Sequence, residues 1–456
     1  MLAYKPGTTK DCLTSRAGLL ATGQLLESLN LARRIDQHFP LPKSNRGYPP
    51  SIFVQTLLLM QHEGSFHLDD VHHLQDDEAL RDVLEIQTLP SATTLGDWLR
   101  RLGNHPKIGD AWVSVNQAVL QSALHHCNQV TLDIDATEVI SNKASADWTY
   151  KKNQGFMPMA GHIAQTGQII AVDFRQGNVP PNKDNLACIK QCQQSLPAGV
   201  RLDALRIDSA GYQASIIQYC DEQGIDYAIR AKSSASMRAQ IASMSDSGWQ
   251  PLLNRQGNAI EGEQTCRTSF CIGDYDKAFT LIIQRKAIEG QTTLALPSEH
   301  HSDEVSIGAY VYRAIATNRE PLSDSEMIDW YNQRAEDSEN RIKELKSDWG
   351  GDTLPCSDFN ANALYLLITA LSYNVFALMR ELFPAALCHH RIVTIRWRLY
   401  GIAAKVVKTG RQVFVKLKAQ HHALLETVLL DSVVTKCPPI QPDNESAQRQ
   451  ETTTHF

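Results

Sequence analysis

Between residues 15 and 39 apolar side chains recur at three- and four-residue spacing: Leu19, Leu20, Leu25, Leu26, Leu29, Leu31 and Ile35. That period predicts a helix with one buried stripe. Gly47-Tyr-Pro-Pro50 breaks it, and Ser51 stands where it would cap a second helix through Val54, Leu57, Leu58 and Met60. A third helix is expected near 76–84. A fourth is expected after Pro90, running to Leu102 and stopped by Gly103. No long strand pattern appears before residue 126, so 1–126 reads as an all-helical N-terminal domain.

The period changes at Gln129. Val130-Thr-Leu-Asp-Ile-Asp135, Gln168-Ile-Ile-Ala-Val-Asp173 and Leu202-Asp-Ala-Leu-Arg-Ile207 alternate as strands do. Helical stretches at 184–196 and 214–223 lie between and after them, which predicts an α/β layout. Residues 226–318 are strand-rich, with candidates at 226–230, 279–283 and 310–315 and turn clusters such as Arg255-Gln-Gly-Asn258. Pro321 precedes a capping box of Ser323 and Glu326, which opens a long helix expected to reach about Ser347, before Gly350-Gly351. An apolar helix follows at 360–380. Residues 382–425 hold eight Lys or Arg and no acid. The tail, 438–456, is polar and rich in Gln and is expected to be disordered.

Composition narrows the class. A chain of 456 residues, at roughly 150 per domain, forms about three units or one elaborated domain. With 43% hydrophobic and 21% charged residues it is neither a disordered nor a collagen-like chain. Ten cysteines without a CxxC pair, the nearest being Cys188 and Cys192, show no zinc site or disulfide framework and suit reduced thiols in a cytoplasm. Met1-Leu-Ala-Tyr-Lys-Pro has no long apolar core and does not read as a signal peptide. The stretch 363–379 carries Thr369, Ser372 and Asn374 and falls short of the ~20 apolar residues of a membrane span, so a buried core helix and no membrane partner are expected. The net charge of −6 does not announce a nucleic-acid binder, so any such reading must rest on local clusters.

Three constellations can carry chemistry. Asp133 and Asp135 share one face of a strand, and burying two carboxylates calls for a cation unless that face is solvated. Asp208 ends an apolar strand, where open α/β sheets build their sites, although an Asp there also caps a helix. On the long helix Glu339 and Lys346 are seven apart and share a face, with Glu336 close by; a solvated, salt-bridged surface is the plain alternative. Together the acids can converge on a pair of divalent ions, for which oxygen ligands suit Mg²⁺ or Mn²⁺. Such a pair can clamp the attacking and leaving oxygens of a phosphodiester. Lys346 and Arg334 would then stand near phosphate. His62, His67, His72 and His73 fit no zinc pattern and read as core or surface histidines.

At these residues the chain resembles the DDE transposases of bacterial insertion sequences, in the branch with a Tyr…Arg…Glu…Lys helix. Thr14-Ser-Arg-Ala-Gly-Leu-Leu, Leu89-Pro-Ser-Ala-Thr-Thr-Leu-Gly-Asp-Trp-Leu-Arg, Asp133-Ile-Asp-Ala-Thr137, Gly155-Phe-Met-Pro158, Gly177-Asn178, Ile207-Asp-Ser-Ala-Gly-Tyr212 and Glu339-Asn-Arg-Ile-Lys-Glu-Leu-Lys346 carry the likeness over nearly the whole chain. The resemblance implies an RNase H-like catalytic core at 127–225 and 319–380, interrupted by a β-rich insertion at 226–318 and followed by a basic C-terminal region at 381–437. It implies Asp135, Asp208 and Glu339 as catalytic, metal-binding residues, with Asp133 the alternative first ligand, and two Mg²⁺ or Mn²⁺ ions. Lys346, Arg334, Tyr331 and Arg341 would contact DNA phosphate. One departure stands out: four residues separate Arg334 from Glu339 where the family usually has three, while Glu339 to Lys346 keeps six.

The implied activity is cleavage of element ends and their joining to target DNA. The partners would be the terminal inverted repeats and target duplex, with a homodimer in the active complex, in a bacterial cytoplasm at the nucleoid. Residues 90–103 can be the second helix of a helix-turn-helix, or simply a packed helix. In the acid-free segment Arg396, Arg398 and Lys405 are the candidate phosphate contacts, or a basic face of no consequence. A metal-dependent nuclease and a catalytically inactive, transposase-derived DNA-binding protein are the rival readings.

Overall fold

The computed structural model describes residues 5–42, 47–273, 275–288, 303–410 and 412–428, without the side chains of 336–339. The expected disordered tail lies outside these residues. The chain divides into two units, 1–123 with 371–456, and 124–370.

In the first unit the expected helix at 15–39 is two, Leu19–Ser28 and Leu31–His38, broken where Asn30 takes a left-handed φ of 50°. The next helix, Pro50–Glu63, is not capped by Ser51. Ser51 lies in its first turn and gives its N–H and hydroxyl to the two oxygens of Asp36, both at 2.8 Å. The later helices Glu78–Val83 and Ala92–Gly103 are capped by Asp77 and Ser91, whose side chains accept backbone N–H groups, as helix starts require. The unit is not all helical: Cys12–Thr14 pairs with Ala404–Thr409, which pairs with Gln412–Lys416. His62 is fully buried, with Nδ1 2.9 Å from the Tyr400 hydroxyl and 3.3 Å from Thr22, so it is a core histidine. Burial, and then the Arg396 charge, push its pKa down to about 3.

The second unit is built on one mixed sheet. Its described strands run in the order Gln250–Leu253, Ala259–Ile272, Tyr275–Ala287, Tyr310–Thr317, Asp226–Arg230, Arg201–Ile207, Gln129–Ala136, Met159–Ile163, Ile169–Asp173, with Val305–Ile307 paired to Tyr310–Thr317. Gln129–Ala136, Arg201–Ile207 and Asp226–Arg230 are parallel, and the outer pairs are antiparallel. Val130 to Ile134 are all buried, as a parallel strand covered on both faces must be. Ser323 and Glu326 form the expected capping box at the start of the helix Asp324–Lys343, which packs on these strands. The α-helix does not reach Ser347. From Glu344 to Asp348 it widens into a π turn, closed by the Trp349 N–H on the Glu344 carbonyl at 3.1 Å.

A second, three-stranded sheet fills residues 139–156, with strands Val139–Ile140, Gln154–Phe156 and Asp147–Trp148 in that order. Val139, Ala146, Phe156 and Leu354 form the small core beneath it, with Phe174 and Phe359 against them. Gly155 and Gly177 make this packing possible. A Cβ on Gly155 would lie 2.2 Å from the Val139 carbonyl oxygen, and one on Gly177 2.3 Å from that of Asp147. The helix Phe359–Leu382 is long and apolar enough to cross a membrane, but 89% of its most apolar stretch is buried within the protein.

Candidate active site

Asp135 and Asp208 are brought together by strand register. On the parallel pair Gln129–Ala136 and Arg201–Ile207, Asp133 faces Arg206 and Ile134 faces Ile207, so positions 135 and 208 follow side by side at the carboxyl ends. Asp208 also caps the turn Ser209–Gly211, its Oδ1 accepting the Ala210 N–H at 3.0 Å. Capping and a place at the sheet's functional edge are compatible, because the cap engages one oxygen.

Asp133 is a different kind of residue. It is fully buried, and Arg206 donates to both its oxygens, Nε to Oδ1 and Nη2 to Oδ2, each at 2.7 Å. Arg206 is itself 2% exposed and gives Nη1 to the Trp330 carbonyl at 2.7 Å, tying the helix to the sheet. Burial pushes the Asp133 carboxyl up, against the pull of Arg206. On the other flank lies His162, which burial holds neutral. The cation that the buried Asp133 demands is thus an arginine of the next strand. Asp133 forms a buried ion pair that occupies both of its oxygens.

Arg334 is buried rather than offered to DNA. Burial works against its charge, but Tyr331, Asp135, Asp208 and Asp133 outweigh it and raise its pKa. Its Nε has no hydrogen-bond partner among the described residues. It therefore balances the aspartates from within. Tyr331 is 5% exposed and packs with Ala228, Ile282 and Met327, its ring 4.7 Å from the Arg230 guanidinium. It belongs to the core and is no surface phosphate contact. Arg341 donates to the carbonyls of Ile163 and Ala164, both at 2.9 Å, and fixes the end of a strand instead of binding phosphate.

Lys346 does reach the site. It shares an open cleft of about 530 Å³ with Asp135, Glu138, Lys151, Lys343 and Asp352. The π turn rotates it from where an α-helix would leave it, and its Nζ donates to the Glu138 carbonyl. Burial lowers its pKa despite Asp352 and Glu138. Glu339 lies on the same helix, but its side chain is outside the described set. Among the described residues no three His, Cys, Asp or Glu side chains gather as a metal cluster. Asp135 and Asp208 offer the hard oxygen donors that suit Mg²⁺ or Mn²⁺.

In the basic C-terminal segment the three candidates have different surroundings. Arg396 gives Nε to the His62 carbonyl at 2.9 Å and Nη2 to that of Gln61 at 2.6 Å, so it caps the last turn of Pro50–Glu63. Lys405 is exposed but paired with Asp11 at 2.7 Å. Arg398 is exposed, with Nη1 3.0 Å from His390 Nε2. Sequence reasoning missed Arg206, Glu138 and Lys151. A charged residue inside each of two apolar strands, Asp133 and Arg206, was the available signal for the first.

The transposase DDE domain group 1 family profile matches residues 8–434. No curated protein matches the chain. Among solved structures it is similar to a piggyBac transposase synaptic complex with hairpin DNA, determined by cryo-electron microscopy. The identity is 11% and the TM-score 0.40, over 97% of this chain and 87% of that one.

Proposed function

The chain belongs to the transposase DDE domain family, group 1, and is a DDE-type transposase; on that premise we propose that Asp135, Asp208 and Glu339 are its catalytic carboxylates and that it moves a bacterial insertion sequence. The observation that carries the site is the register that sets 135 and 208 side by side, with the helix of Glu339 packed on those strands. The strand order Ile169–Asp173, Met159–Ile163, Gln129–Ala136, Arg201–Ile207, Asp226–Arg230 supports an RNase H-like core, with the strands from Gln250 to Thr317 as its insertion.

When bound, Mg²⁺ or Mn²⁺ at these carboxylates supplies the positive charge that stabilises the attacking and leaving oxygens of a phosphodiester. Asp135 and Asp208 fix the reacting end of the sheet, and the Arg334 charge faces both acids from the buried side. Lys346 and Lys151, lining the cleft, hold the DNA phosphates. Hydrolysis at the element's end frees a 3′-OH. That hydroxyl then attacks the phosphorus of a target phosphodiester and displaces the target strand's 3′-oxygen, which leaves as a hydroxyl; because both steps are in-line displacements one site serves both. The protein works on duplex DNA as a homodimer, with Arg398 and the helix Ala92–Gly103 among its DNA contacts.

The test is incubation of the purified protein with the DNA ends that flank its own gene and with Mg²⁺. Cleaved ends joined to a target plasmid are expected. Cleavage without joining would make it a nuclease, and binding without cleavage a catalytically inactive relative.

A further inference from the structure

The lobe formed by the small sheet carries side chains that packing does not explain. Ile140, Trp148 and Tyr150 are 60%, 69% and 60% exposed, all within one short stretch of chain. Large apolar groups left in water beside a functional cleft mark a contact surface. Residues 139–158 hold three lysines, Lys143, Lys151 and Lys152, against one acid, Asp147. Ile140 and Lys151 line the same cleft as Asp135 and Lys346.

The tip of this lobe is held in place. Glu138 accepts the Thr149 hydroxyl and, on its two oxygens, the Asn153 side-chain amide at 3.3 and 3.2 Å. The Thr149 N–H donates to the Asn153 carbonyl at 2.8 Å, and Lys152 turns the chain at a φ of 64°. Glu138 follows Asp135 by three residues, so the tip is tied to the end of the acid strand. The Lys151 ammonium lies 5.6 Å from the Tyr150 ring.

We propose that Trp148 and Tyr150 stack on an unpaired nucleotide of the DNA strand whose phosphate sits in the Asp135–Lys346 cleft, which makes them positioning residues for the scissile end. The inference rests on the reading of the cleft as a DNA-cutting site. Tyr150 adjoins Lys151, and Trp148 lies three residues, at most about 10 Å of chain, from Lys151. One strand of a duplex advances ~3.4 Å per nucleotide, so a ring there meets a base about one to three nucleotides from a phosphate bound by Lys151. Bases inside a duplex already stack on one another. An exposed ring therefore favours a base whose face is open, and the lysines supply the complementary charge.

Binding of a short DNA duplex with an unpaired 3′ overhang is compared with that of the same duplex blunt-ended, by fluorescence anisotropy. The wild type is expected to favour the overhang by about tenfold, with the preference itself insensitive to salt. The double variant W148A/Y150A should lose that preference and bind the blunt duplex as before, while W148F/Y150F should keep most of it. Unchanged thermal melts would show that these exposed positions leave the fold intact. An overhang preference that survives W148A/Y150A overturns the proposal. So does a wild type that binds both duplexes equally, which leaves the transposase site standing. Binding to neither duplex overturns the proposal and the DNA-cutting reading together. Concentration-dependent self-association abolished by W148A/Y150A would give the patch to a second copy of the chain, and would also overturn it.

Discussion

Asp133 and Asp135 are two residues apart on one strand, but Asp133 is buried in an ion pair and Asp135 is half-buried at the strand's end. Replacing Asp133 with Asn leaves the Arg206 guanidinium, 2% exposed, without its counter-charge. Removing one member of a buried pair costs on the order of 3–5 kcal/mol, because the remaining charge cannot reach water. For a unit of this size, 124–370, about 4 kcal/mol corresponds to a fall in Tm on the order of 10 °C. Replacing Asp135 with Asn removes a half-buried carboxylate from the sheet's end and should leave Tm within a few degrees while abolishing DNA cleavage. A double change, D133L with R206M, should recover much of the loss suffered by D133N, since apolar groups of similar volume need no counter-charge. Calorimetry of the four proteins, with cleavage measured below the lowest Tm, separates the two roles. A D133N protein that melts like the wild type yet cannot cut DNA would instead make Asp133 a metal ligand.

Three further outcomes are expected. Glu339→Gln should keep fold and DNA binding and lose cleavage by several orders of magnitude, whereas Glu336→Gln, about 60° round the helix, should cost much less; a dead E336Q beside an active E339Q would move the third acid. R396A should destabilise the protein by roughly 1–3 kcal/mol through the loss of two charged hydrogen bonds on helix carbonyls, and leave the salt dependence of DNA binding as it was; R398A should flatten that dependence. His62, held at about 3 when folded against an ordinary 6.5, stays neutral in the native state while the unfolded chain takes up a proton, so its contribution is complete above pH 6.5 and is lost as pH falls. Denaturation of wild type and H62N should show the wild type losing roughly 2 kcal/mol more between pH 7 and pH 5.

The strands that lead to Asp135 and Asp208 were legible because strands announce themselves locally. Apolar alternation located 202–207, and an acid at its end is a position with few uses. The capping box of Ser323 and Glu326 likewise needs only four consecutive residues. What escaped depended on partners far along the chain. Asp133 and Arg206 are 73 residues apart and meet only through parallel register. Arg396 looked like a free cation in an acid-free segment, and only the fold shows that it sits on carbonyls of Gln61 and His62. The small sheet at 139–156 was missed because its strands are two or three residues long and its glycines matter for close approach rather than for turning. The π turn at Glu344–Asp348 leaves no mark in the hydrophobic period, yet it decides where Lys346 points.

The central claim is that Asp135, Asp208 and Glu339 share divalent ions, and the most direct measurement is anomalous scattering from Mn²⁺-soaked crystals of the protein. Manganese peaks are expected at the carboxyl ends of Gln129–Ala136 and Arg201–Ile207, bounded by those three carboxylates. Manganese on Asp133 and His162, or none within reach of Asp135 and Asp208, would contradict it.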